Sequence, residues 1–123
     1  MRRLLAFAGT TEALTGLCLV ALPSVAVKLL FEAELAGAGI VATRVAGIAL
    51  MALGTACWPT RDARAAIAGM FGYNLLIAVY FAWLGVRGEL VGVLLWPVAA
   101  YHAALVAPLG LAWRRLERRD ATR

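Results

Sequence analysis

Four long apolar stretches, each separated from the next by a short polar or proline-bearing segment, set the pattern of this chain. The first runs from Leu4 to Leu22 and stops at Pro23-Ser24; the second runs from about Ala38 to Trp58 and stops at Pro59-Thr60-Arg61-Asp62. The third runs from Ala65 to Leu84 and ends at Gly85, and the fourth runs from Leu90 to Trp113, where Arg114 and Arg115 follow. Crossing about 30 Å of hydrocarbon takes about 20 apolar residues in a helix, so each stretch has the length of one span. A helix also closes its own backbone hydrogen bonds, as lipid requires. Too few residues lie outside these stretches for a soluble domain. The pattern therefore predicts an all-α fold, a single transmembrane domain over residues 1–123 arranged as an integral membrane four-helix bundle.

Two segments admit a second reading. Arg2-Arg3, the apolar run behind them and Ser24-Val25-Ala26 have the form of a cleaved signal peptide; Glu12 in the middle of that run argues for a retained span. Between spans one and two, Val25, Val27, Leu29, Leu30 and Phe31 surround Lys28 and precede Glu32 and Glu34. That stretch reads either as a short interfacial segment lying on the membrane or as a helical extension of span one beyond a kink at Pro23.

Charge fixes an orientation. Arg2, Arg3, Arg61, Arg64, Arg114, Arg115, Arg118, Arg119 and Arg123 make nine cations on one side, against Lys28, Arg44 and Arg87 on the other. The positive-inside rule then places both termini in the cytoplasm, with the inner membrane of a bacterium as the expected location. Trp58 and Trp113 fall at the inner interface and Trp83 at the outer one, as an aromatic belt requires. Composition agrees: 63% of residues are apolar and 15% charged, and the mean hydropathy is +0.84. A soluble domain carries about 25% charged residues. These values argue against a soluble enzyme, a nucleic-acid-binding module and a disordered tail. The net charge of +5 sits largely at the chain ends, where it holds anionic headgroups rather than nucleic acid.

The candidate chemistry lies in the few polar residues inside the spans. Glu12 is mid-span, about 12 Å from the inner boundary, and an ionisable group there is by default a functional hypothesis. Gly9 and Gly16 flank it on one helix face, so that face is expected to pack against another helix. Gly47 and Gly54 repeat the spacing in span two after Ala46, as Gly9 and Gly16 do after Ala8. The fixed rise of a helix puts Tyr73 and Asn74 about 12 to 14 Å from the inner side and His102 about 14 to 17 Å from it. Glu12, Tyr73, Asn74 and His102 could thus share one level of the interior, as a hydrogen-bonded network or the wall of a polar pocket. The plainer alternative is interhelical hydrogen bonding worth about 1 kcal/mol or less at each residue.

Arg44 lies about 9 Å nearer the outer face than Glu12. It is expected in the same buried polar set, by pairing with Glu12, or else to pair with Glu32 or Glu34 or to snorkel outward. Pro97 and Pro108 in span four would free the carbonyls of Val93 and Ala104, and a kink there could open a cavity beside Trp96, Tyr101 and His102. Cys18 and Cys57 are about 20 Å apart in depth, out of reach of a disulfide, and read as small buried hydrophobes. No zinc spacing, glycine-rich phosphate loop or serine nucleophile elbow occurs, and the single histidine excludes a bis-histidine haem within one chain. The expectation is no metal and no cofactor.

Two families share features with this pattern. A chain of this size with four spans and Glu12 in the first resembles the small multidrug resistance transporters, and that resemblance implies a dimer exchanging protons for cationic drugs at Glu12. Glu12, Arg44 with Ala46-Gly47, Cys57-Trp58, Tyr73-Asn74, and Leu95-Trp96-Pro97 with His102 are together similar to small bacterial four-span proteins of the DoxX-like kind. That resemblance covers most of the chain and implies a bacterial inner-membrane protein without implying a reaction.

Three functions follow as expectations. The first is a non-enzymatic membrane component, working as a homo-oligomer or with a membrane-protein partner, built on a polar core of Glu12, Arg44, Asn74 and His102. The second is a proton-coupled transporter of a small amphipathic or cationic solute, with Glu12 as carrier and His102 as relay. The third is an intramembrane enzyme acting on a lipid or sterol, with Glu12 and His102 as acid and base.

Overall fold

A computed structural model describes residues 2–58 and 63–121. The segment Pro59-Thr60-Arg61-Asp62, where the second stretch stops, and Arg123 lie outside the described residues. Among the described residues every regular element is an α-helix: α1 (Arg2–Ala21), α2 (Pro23–Phe31), α3 (Ala38–Ala56), α4 (Ala63–Arg87) and α5 (Leu95–Ala121). Four of them, α1, α3, α4 and α5, are long and apolar enough to cross a membrane. Their outward faces are aliphatic, with Val41, Val45, Ile48, Leu76 and Val79 exposed. Exposed apolar faces of this kind mark membrane or protein contact surfaces.

The breaks have local causes. Pro23 bars helical geometry at the residue before it, and Leu22 accordingly takes φ −131° and ψ 55° between α1 and α2. The segment after span one is therefore a separate nine-residue helix, which ends at Glu32 in the left-handed region (φ 54°). Gly37 and Gly88, both with positive φ, open the turns before α3 and after α4.

The fourth span begins later than its hydropathy suggests. Residues 90–94 are not helical; the Gly92 and Leu94 amides donate instead to the Leu30 and Leu29 carbonyls of α2, both at 2.9 Å. A β-carbon on Gly92 would lie 2.7 Å from backbone carbons of Leu29 and Leu30, so only glycine permits this approach. As a result Pro97 stands in the first turn of α5, where its missing N–H removes no helical bond, and the kink expected there does not form. Pro108 does lie inside the helix.

The helices pair as α1 with α3 and α4 with α5. The first pair crosses on glycines. A β-carbon on Gly9 would come 2.7 Å from the Gly54 carbonyl oxygen, and one on Gly16 would collide with the Gly47 carbonyl and lie 2.8 Å from the Met51 amide. Seven residues up α1 match seven residues down α3, the register of an antiparallel pair in close backbone contact. The two pairs then share one core, with Leu5 and Ala8 from α1, Ile67 and Met70 from α4, and Leu105, Leu109 and Ala112 from α5, closed at one end by Cys57.

Candidate functional site: a buried Glu–His–Asn centre

The buried positions of each helix form a single stripe at helical spacing. On α1 the stripe is Leu5, Ala8, Gly9, Glu12 and Gly16; on α4 it is Ile67, Met70 and Asn74. On α5 it includes Leu95, Ala99, His102, Leu105, Leu109 and Ala112. Each of these three stripes is interrupted by one polar residue, and the three interruptions meet. Glu12 is 1% exposed, Asn74 0% and His102 5%.

Their hydrogen bonding is directional. The Asn74 Nδ2 donates to the Met70 carbonyl at 2.8 Å, which leaves Oδ1 as the atom that faces α5. His102 Nδ1 lies 2.9 Å from that oxygen, so Nδ1 carries the proton and donates it to Asn74. Glu12 Oε1 approaches the same nitrogen from α1, at 3.9 Å, an ion pair only when the imidazole is charged. With the Nδ1 proton already given to Asn74, this oxygen is left buried and without a hydrogen-bond partner. The Tyr73 hydroxyl, half-buried on α4, is turned toward the same carboxyl group.

Aromatic rings enclose the imidazole. Tyr101 (5.3 Å between centroids), Tyr73 (5.6 Å) and Phe81 (6.5 Å) all meet His102 edge-on. Tyr101 in turn contacts Phe7 of α1, and its hydroxyl is buried without a hydrogen-bond partner. Phe81 is not among the residues expected in the site, and Tyr101 is expected only beside a cavity at the proline kink. A signal for both exists in the chain: Tyr101 adjoins His102, and Phe81 lies two helical turns beyond Asn74 on the same face.

One expected member is elsewhere. Arg44 is exposed on α3, to one side of the Gly47–Gly54 stripe that faces α1, and does not belong to the buried set. Its expected place in the buried polar set is therefore corrected, and of the alternatives its depth left open the Glu12 pair is not the one realised; the side chain that approaches Glu12 is His102. Trp96 also stands apart from His102, laid over Gly85 at the far end of α5, where a β-carbon would meet its ring at 2.6 Å. Cys18 and Cys57 are free thiols; Cys57 is buried, whereas Cys18, also expected to be buried, is exposed on α1.

The arrangement sets a buried carboxyl beside an imidazole whose near nitrogen already carries a proton, and it leaves Glu12 Oε1 and the Tyr101 hydroxyl without hydrogen-bond partners. Threonines nearby contribute little to it: the Thr10 and Thr11 hydroxyls donate to the Ala6 and Phe7 carbonyls one turn back on their own helix. Comparison of the chain with protein-family models, curated proteins and solved structures finds no match.

Proposed function

We propose that this chain is a multi-pass protein of the bacterial inner membrane, with both termini cytoplasmic, that couples a proton held at Glu12 to the binding of a small cationic or amphipathic solute. The orphaned Glu12 oxygen is the observation that carries this reading. A polar cluster serving only as interhelical glue is expected to satisfy its buried acceptors, and each exception calls for an explanation. A carboxyl that exchanges its proton for a ligand's positive charge needs an open acceptor, and Oε1 supplies it, with the protonated Nδ1 of His102 3.9 Å away. The cation bias toward the α1 and α5 ends supports the orientation. The resemblance of Glu12 in a first span to the small multidrug resistance transporters points to the same chemistry, and a single chain with so few polar groups would work as a homo-oligomer.

The Asn74–His102 bond and the rings packed around the imidazole favour a second reading, in which the centre locks the helices and the protein is an accessory membrane component. Proton flux separates the two. Liposomes containing the protein and an internal pH dye, given tetraphenylphosphonium as probe cation, are expected to show cation-dependent proton movement that Glu12→Gln reduces to the rate of empty liposomes. Equal rates for the wild type and Glu12→Gln would overturn the transport reading and leave the accessory one.

A further inference from the structure

We propose that the groove between α1, α2 and the start of α5 is a binding site for one acyl chain of a phospholipid drawn from the leaflet that contains α2. This rests on the membrane reading of the four long helices and does not depend on what Glu12 exchanges. The groove has a volume of about 400 Å³, inside the range of about 300–1,000 Å³ typical of small-molecule sites. Its wall on α1 is a stripe from Thr11 through Leu14 and Cys18 to Leu22, with Leu29 of α2 and Val98 of α5 opposite.

Its length fits one leaflet. Thr11 to Leu22 is about 16 Å of helix, and half of a hydrocarbon core of about 30 Å is about 15 Å. The groove thus begins at the level of α2, beside the membrane surface, and closes near the middle of the bilayer. An acyl chain has that reach and that chemistry.

The site is built rather than left over from loose packing. The backbone bonds from Gly92 and Leu94 tie the last turn of α2 to the segment that leads into α5, so two walls of the groove are fixed to each other, and Gly92 is the residue that lets them form. A cation lies beside the groove: Lys28 is exposed on α2, next in sequence to Leu29 of the wall and one turn before the exposed Glu32. An ammonium there complements the phosphate of a lipid whose chain lies in the groove.

Native mass spectrometry of the protein extracted from vesicles of equal parts dioleoylphosphatidylglycerol and dioleoylphosphatidylcholine tests the proposal. The wild type is expected to retain one phospholipid per chain, with phosphatidylglycerol favoured, and Lys28→Gln to lose that preference. Ala26→Trp, which places an indole in the groove, is expected to lower retention about tenfold, a loss of about 1.4 kcal/mol. Cys18 gives a readout on the unaltered chain, since its thiol is exposed on the groove wall while Cys57 is buried. Maleimide labelling of Cys18 is expected to slow when delipidated protein is reloaded with phosphatidylglycerol. No retained lipid in the wild type, undiminished retention in Ala26→Trp, or Cys18 labelling indifferent to lipid would each overturn the site.

Discussion

Asn74 and His102 allow a quantitative test of the buried centre. Replacing Asn74 by Ala removes the acceptor for the His102 Nδ1 proton, and replacing His102 by Ala removes the donor for Asn74 Oδ1; the two atoms are 2.9 Å apart. Either change leaves a polar atom unmatched in a place where neither residue is more than 5% exposed. In a water-soluble core that costs about 1–3 kcal/mol. Between membrane helices the hydrogen bond itself averages about 0.6 kcal/mol and reaches about 1.7, because the separated helices find other partners in lipid. Asn74 is oriented by its second hydrogen bond, to the Met70 carbonyl, and His102 is enclosed by three rings, which places the coupling energy in the upper half of that range, about 1 kcal/mol. The double variant is therefore expected to be more stable than the sum of the single losses by about that amount. The assay is reversible unfolding in mixed micelles, titrated with denaturing detergent and read by far-ultraviolet circular dichroism. Arg44→Gln combined with His102→Ala serves as the control and is expected to add within about 0.5 kcal/mol. Additivity of Asn74→Ala and His102→Ala within the same margin would refute the hydrogen-bonding scheme.

Other substitutions probe the frame that holds the centre. Gly54→Val drives side-chain atoms into the Gly9 and Ala13 backbone, and is expected to destabilise the protein by about 1–3 kcal/mol in the same unfolding assay. Gly69→Ala and Gly72→Ala meet nothing within 4 Å and are expected to be neutral or mildly stabilising. Pro108→Ala restores the helical bond to Ala104 and is expected to raise the thermal midpoint, whereas Pro97→Ala, in the first turn of α5, is expected to leave it unchanged. Glu12→Gln and His102→Ala are expected to be non-additive in stability, since the two side chains approach to 3.9 Å.

Much of this fold is written in local pattern. The four long helices follow from apolar runs of span length, and the fixed rise of a helix places Glu12, Asn74 and His102 at one depth before any contact is known. Glycine spacing marked the α1–α3 crossing for the same reason: small residues seven apart share a face. Depth carries no information about which way a residue faces across the bundle, and Arg44 shows the consequence. Its level was legible, but its position beside the α1-facing stripe depends on how α3 seats on α1. Leu90–Leu94 shows the other limit. The segment has the hydropathy of a helix, yet its amides bond to α2, some 60 residues earlier in the chain, and a pairing of that range leaves no local trace. Phe81 was hidden differently, because an aromatic residue on an apolar face reads as core until the imidazole it helps enclose is placed.

The central claim is that Glu12 carries a proton that a cationic ligand displaces. Its most direct measurement is the number of protons released when tetraphenylphosphonium is added to purified protein in weakly buffered detergent solution, followed with a pH electrode. Close to one proton is expected per Glu12 carboxyl engaged, and none from Glu12→Gln, while Arg44→Gln is expected to release as much as the wild type. Binding of the cation with no proton released, or with equal release from Glu12→Gln, would contradict it.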